Sequence, residues 1–524
     1  MATSTYALFV DWSGDGDFGD TGEIITDRLL SVETERGRDF PSQLTGKSIA
    51  GRLVAAVNNQ SGDYSPFNAS GGLYGNLLPG RKVQLISEYD SGFTYTFPFA
   101  FTNTPLWTGY VESIDPDVRV GNAKIAMIRA IGPLGLVNQR EVRIAGQANK
   151  RTDELISTIL QDANWDSDDL DLETGQTTVT KYWTTQINAL KAIREIEETE
   201  PGFIYEMHDG KIKFEDRTYR GTNEDALTSV LTFSDASDRT YSYETIKQEN
   251  AIDSVFNVVE ATVKIYSTGS IATLWTHPES GANSPLISAG ATNVYYAEYP
   301  PPLDAILASE IAGQVSVEAW TTPVATTDYT VNAAADGSGS NLTSSVSVAV
   351  VKLSNIMKIS LSNTGATDGY ITLLKARGTT VVTSDPALII AEDATSQTAY
   401  AKRTYTSRAK WIPSSVDAQN WCNAQLSVYK DPQPRITISF TAGKDANHMY
   451  AALEAGISTR VTLVAANNSG LGINEDFFIE NIRHKITEGN TYHHVTLELS
   501  PVSVTAGFFT LGHALLGTST KLFY

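Results

Sequence analysis

The sequence predicts a mainly β, multi-domain protein with a small α+β domain near its middle and a β-sandwich inserted late. Three observations carry this. The composition leans towards Thr, Ser, Val, Tyr and Gly, which favours strands and turns. Stretches such as Trp107-Thr108-Gly109-Tyr110-Val111-Glu112-Ser113-Ile114 alternate apolar and polar residues, as a half-buried antiparallel strand should. One region, 146 to 239, switches to helical spacing. At 524 residues the chain is long enough for several domains, each with its own core.

Residues 1–145 read as all-β. Tyr6 to Val10 is an apolar strand, followed by Asp11-Trp12-Ser13-Gly14-Asp15-Gly16-Asp17-Phe18. Oxygen-bearing Asp11, Ser13, Asp15 and Asp17 alternate, with glycine in the sixth place, as in the first half of an EF-hand calcium loop. The twelfth place is Gly22, and the carboxylate of Glu23 falls one residue late. Calcium at these four residues is therefore one reading; a hairpin of Asp-Gly turns, in which Asp bonds its own backbone, is the other. Strands follow around Val32, Leu53, Val83, Phe97, Tyr110 and Ala126. Between Leu53 and Val83 lies a long polar loop that carries Tyr64, Pro66, Phe67 and Tyr74 among glycines and ends in the turn Pro79-Gly80. Disordered segments lack such rings, so the loop is expected to be ordered and to dock, on a partner or on its own domain.

In 146–239, Thr152 is placed to cap a helix with Asp153 and Glu154 in its first turn. Leu155, Ile156, Ile159 and Leu160 give that helix its apolar face, and Ile187, Leu190, Ile193 and Ile196 give a second, stopped by Pro201-Gly202. A hairpin then turns at His208-Asp209-Gly210, where His208 reads as an exposed turn residue. Residues 240–266 and 405–504 read as a second β domain, interrupted by a Thr/Ser/Ala/Gly-rich β-sandwich at 267–404. A helix over 415–430 carries Ala418, Trp421, Cys422 and Tyr429 on one face and ends before Asp431-Pro432. The last stretch, 505–524, holds Phe508, Phe509, Leu511, Leu515, Leu516, Leu522 and Phe523 and is expected to need a covering partner.

Charge and chemistry narrow the function. A net charge of −21 repels phosphate backbones and anionic membranes. The one cysteine, Cys422, excludes an intramolecular disulfide or a Cys-based zinc site. No apolar run reaches the roughly 20 residues of a membrane helix, and no signal peptide is read at Met1. No catalytic motif of the hydrolase, zincin or nucleotide-binding kinds is present. His493 and His494, adjacent in an alternating strand, face opposite sides and do not share a metal. The expectation is a protein with no catalytic residues and no cofactor, calcium aside.

The order of elements is similar to phage minor tail proteins. The segments that carry it are L-Y-G-N-L-L-P-G-R-K-V, E-P-G-F-I-Y-E-M-H-D-G-K-I-K-F, I-D-S-V-F-N-V-V-E and F-F-I-E-N-I-R-H-K-I-T-E-G-N-T-Y-H-H-V-T-L-E-L-S-P. Within that group the layout resembles the tail-tip or baseplate hub, over most of residues 1–504 outside the insertion. The resemblance implies two tube-like β-barrels (1–145; 240–266 with 405–504) separated by the α+β domain. It also implies a homotrimer adapting a sixfold tail tube to a threefold tip, and a channel for DNA ejection. The partners it implies are the distal tail or tube protein, the tape measure, and fibres or tip proteins, in a virion tail assembled in the host cytoplasm, with no membrane insertion. Many relatives carry a lytic domain after the hub, and this chain is expected to lack one. The alternatives are a distal tail ring, a receptor-binding protein or a carbohydrate-active enzyme.

Overall fold

The computed structural model describes residues 4–502 except 39–46, 90–103, 120–122, 238, 251, 280–282, 300–313, 408 and 488–491. The strand expected around Phe97, the Pro300–Pro302 run and the apolar stretch 505–524 lie outside the described residues.

The two β regions form one sheet of thirteen strands. In the amino-terminal region, strands Leu29–Arg38, Ser48–Asn58, Ala123–Ile131, Thr104–Arg119, Lys82–Glu88, Thr5–Val10 and Ile24–Ile25 lie side by side in that order. The carboxy-terminal region continues from Leu29–Arg38 through Ile473–Thr487, Tyr492–Pro501, Pro434–Thr441 and Thr245–Asn250. A branch, Arg460–Ala465 and Leu231–Ser234, leaves from Ile473–Thr487. The seam is antiparallel, from Val32 opposite Ile486 to Gly37 opposite Asn481.

The sheet curls strongly. Tyr6, seven strands away from Tyr492–Pro501 along the sheet, reaches back so that its hydroxyl bonds His493 Nδ1 at 2.7 Å. Each region buries its own apolar face. Leu8, Val10, Trp12, Leu53, Val83, Trp107 and Ile128 form the amino-terminal core, and Ile486 from across the seam completes it. Phe233, Ile438, Phe440, Val461, Leu463, Ile482 and Leu497 form the second core, covered by the helix Ala446–Glu454.

The α+β unit packs helices Thr152–Asp162 and Ala189–Thr199 over the hairpin Phe203–Glu206/Ile212–Glu215. Thr152 is the first helical residue rather than the cap; its hydroxyl donates to Glu200 at 2.9 Å. His208 is half-buried rather than exposed, because its turn docks on the amino-terminal sheet, where Thr108 Oγ1 donates to the His208 carbonyl at 2.8 Å.

One strand sits elsewhere than the sequence suggested. Val258–Val263, expected in the second barrel, pairs with Ala387–Glu392 and Thr404–Thr406 in a separate three-stranded sheet. The helix Ser415–Tyr429 covers it with Ala418, Trp421 and Cys422. Both faces of Val258–Val263 carry valine, so a hydrophobic run alone did not choose between two possible sheets.

The sandwich between Tyr266 and Thr383 packs the ribbon built on Gly369–Thr383 against the sheet Thr292–Glu298, Ile356–Asn363 and Val346–Lys352. Tyr266 and Thr383 are paired neighbours, so the chain leaves and returns at one place. That root is clamped by rings: Trp411 contacts Tyr182, Trp183 and Tyr266 with centroids 4.8, 5.0 and 5.6 Å apart.

Candidate assembly surface

The loop after strand Ser48–Asn58 is ordered by turns rather than by regular structure. The backbone N–H groups of Gly62, Ser65, Asn68, Gly71 and Tyr74 each close a turn on the carbonyl three residues earlier. Asn59 accepts from the Tyr64 N–H, and Asp63 accepts from Gly72 N and from Arg28 at 2.6 Å. The hydrogen bonds from Ser61, Gly72 and Arg28 hold the Asp63 carboxyl down at about 2. Tyr64, Leu73 and Leu77 turn into the amino-terminal core. Phe67 points the other way and is 99% exposed, with Tyr74 at 55% and Leu78 at 48%. The loop docks on its own domain through one set of side chains, and a second set is presented outward. Phe67, Tyr74 and Leu78 are thus exposed apolar side chains of one turn-ordered loop.

The polar face of the sheet across the seam forms a groove of about 510 Å³. Arg52, Lys247, Arg435 and Arg483 line it together with Glu35, Glu249 and Glu498. These charges are largely matched to one another: Arg483 lies 2.9 Å from Glu35 and 3.2 Å from Glu498, and Arg435 lies 3.2 Å from Asp253.

Behind this groove, a buried ion cluster ties the three parts together. Glu480 accepts from Arg38 Nη1 at 3.1 Å, from Arg220 Nη1 at 2.5 Å and from Ser500 at 2.6 Å. Burial would raise the Glu480 carboxyl, but Arg220 and Arg38 more than offset it and bring it to about 2. Glu215 accepts from Tyr205 and Ser458, each at 2.7 Å. The Phe203 ring lies between the guanidiniums of Arg38 and Arg220, at 4.0 and 4.1 Å. Arg38 comes from the amino-terminal region, Phe203 and Arg220 from the α+β unit, and Glu480 from the carboxy-terminal region. A second tie is Glu206, whose two oxygens accept from Gly51 N at 2.8 Å and Leu134 N at 2.7 Å. Burial pushes its carboxyl up to about 7, against the pull of those two N–H groups.

The residues considered for calcium share one loop. Asp11 accepts from Gly14 N, Gly16 N and the Ser13 hydroxyl, while Asp15 and Asp17 accept from the backbone two residues on. Glu23 bonds Ser13 N and Asp20 N at 3.0 Å each. This is the bonding pattern of Asp-Gly turns. Among the described residues, no three or more His, Cys, Asp or Glu side chains converge as a metal site would require.

His493 is buried and His494 faces the other side, as alternation demands. Alternation alone did not reveal that His493 meets His484, whose Nδ1 lies 3.0 Å from its Nε2 across the hairpin. Nor did it show the ion cluster, whose members lie up to 442 positions apart; only charged residues at inward strand positions hinted at it.

No protein-family model and no curated protein matches the sequence. Solved structures similar to it include a tail protein from Neisseria meningitidis, with 9% identity, a TM-score of 0.49 and coverage of 96% of this chain and 98% of that one. A 43 kDa tail protein of a Shewanella oneidensis prophage has 7% identity, a TM-score of 0.47 and coverage of 96% and 99%. An Escherichia coli type VI secretion component, described as similar to the T4 tail proteins gp27 and gp5, has 6% identity, a TM-score of 0.39 and coverage of 94% and 76%. Each of these three matches spans nearly all of this chain.

Proposed function

We propose that this chain is a non-enzymatic structural protein of a phage tail or tail-like apparatus, and specifically the trimeric hub that joins the tail tube to its tip and surrounds the path of the ejected DNA. The supporting observation is the thirteen-stranded curled sheet, which holds two β regions as one rigid pair while its end strands, Ile24–Ile25 and Thr245–Asn250, have no further neighbour among the described residues. Closed symmetric assembly is the common way to cover such edges. Copies that each carry −21 repel one another, so they must meet through patches like the Phe67 loop, where the nearby charges Asp63 and Arg28 are already paired. In this reading the distal tail or tube protein sits above the ring, and tip proteins or fibres sit below it. Assembly takes place in the host cytoplasm.

The groove across the seam has mixed charge, and its bases Lys247, Arg435 and Arg483 are engaged by neighbouring acids. Turned towards the axis, such a face gives phosphates little to gain, because each contact would first break an existing ion pair. The test is light scattering on the purified full chain. A particle of about three times 56.8 kDa is expected; a stable monomer at high concentration overturns the hub. The assembled ring is also expected to release duplex DNA at physiological salt.

A further inference from the structure

The inserted sandwich gathers three rings at the end where strand Tyr266–His277 approaches strand Thr292–Glu298. Trp275 and His277 lie two residues apart on one strand and so share a face. Their planes are within 9° of parallel, with centroids 5.6 Å apart. Tyr295, from the facing sheet, brings its ring to 5.0 Å from His277. Trp275 and Tyr295 pack on the core that holds Met357 and Ile359, which fixes them in place. All three rings remain half-buried, so part of each faces solvent. The Asn293 amide donates to the Leu286 carbonyl at 2.9 Å and to the Tyr295 hydroxyl at 3.3 Å. Accepting from Asn293 leaves the tyrosine its own proton to donate outward.

Fixed aromatic faces with a few orienting polar groups suit a ligand that is flat and apolar on one side and rimmed with hydroxyls. Polyanions are disfavoured on a chain of −21. We propose that this end of the sandwich is a binding site for a neutral carbohydrate. The apolar face of a sugar ring stacks on Trp275 and Tyr295, and its hydroxyls bond the Tyr295 hydroxyl and the His277 ring. The site is independent of the hub reading: it sits on the inserted sandwich and would operate in a monomer or a ring.

The experiment titrates the full chain with maltotriose, cellotriose and chitotriose, followed by tryptophan fluorescence and calorimetry. At least one is expected to bind saturably with a Kd of about 1 mM, as a small stacked site would. Trp275→Ala should weaken that binding at least ~10-fold. Since Trp275 also packs on the core, Tyr295→Phe supplies the second arm: it keeps the ring and the melting temperature while weakening binding about threefold through the lost hydroxyl. Tyr296→Ser, on the opposite face of the same strand, should leave binding unchanged. No saturable signal with any of the three sugars, or undiminished binding by Trp275→Ala, overturns the proposal.

Discussion

The chain has two kinds of junction, built from opposite materials. Where the β regions and the α+β unit meet, the contact is ionic and buried, with Glu480 shared between Arg38 and Arg220. Where the sandwich is attached, it is mainly aromatic, with Trp411 among Tyr182, Trp183 and Tyr266, and an ion pair, Lys181 with Glu318, beside the rings. Buried ions must keep their partners, because an unpaired charge in the interior is costly. Packed rings lose little when one of them tilts, because their attraction is spread over many weak contacts. The first junction therefore depends on each charge keeping its partner, whereas the second spreads its attraction over many contacts.

The largest effect expected is at the ionic junction. Glu480→Leu removes the carboxylate that Arg38 and Arg220 share, leaving Arg220 only the carboxylate of Glu215 at 3.5 Å, and should cost about 3–5 kcal/mol in chemical denaturation. A loss below about 1 kcal/mol would mean that the cluster does not hold the regions together. The second junction residue is sensitive to pH. Because the folded Glu206 carboxyl is raised from 4.5 to about 7, the folded state binds its proton more tightly than the unfolded chain does. Its contribution is therefore complete below pH 4.5 and is lost as pH rises through about 7. The wild type minus Glu206→Gln difference in stability should decline between pH 5 and 8 by on the order of 3 kcal/mol; a flat difference would remove Glu206 from the account.

The aromatic root should respond more gently and locally. Trp411→Phe keeps a ring but loses volume and the indole bond to Glu195 at 3.2 Å, for about 1–2 kcal/mol. Proteolysis should then quicken near Ile265 and Ser384, where the sandwich is rooted, before the rest of the chain is cut. Phe67→Ser should leave the melting temperature unchanged within the ±0.5 kcal/mol typical of surface sites, and should reduce self-association in light scattering. The smallest expected effect is none: calcium or a chelator should not shift the melting of the full chain, because the Asp11 carboxylate is already satisfied by backbone N–H groups. A rise with calcium would restore the EF-hand reading.

Local features were legible in the sequence because local rules govern them. The helix Ser415–Tyr429 ends before Asp431-Pro432, and its apolar face holds Cys422, as spacing alone indicated. The order of the Asn59–Gly80 loop was readable from its rings, but which rings turn inward was not. Tyr64 and Phe67 are three residues apart with similar neighbours, and what separates them is tertiary: Tyr64 packs into the core beneath Arg28, whose guanidinium lies 5.8 Å from its ring centroid. The seam was invisible for a related reason. Val32 and Ile486 are ordinary strand residues, and nothing local to either names a partner 454 positions away.

That distance sets an order of events during synthesis. The amino-terminal core lacks Ile486, and strand Thr5–Val10 lacks its His493 anchor, until strands Ile473–Thr487 and Tyr492–Pro501 have left the ribosome. Contacts so far apart in the chain form late, because the loop between them must be closed first. Strand Leu29–Arg38 therefore waits with one edge unpaired while some 440 residues are added. A chain cut short before Ile473 cannot close the seam, so the first domain is finished only once a segment more than 400 residues away in sequence has been made.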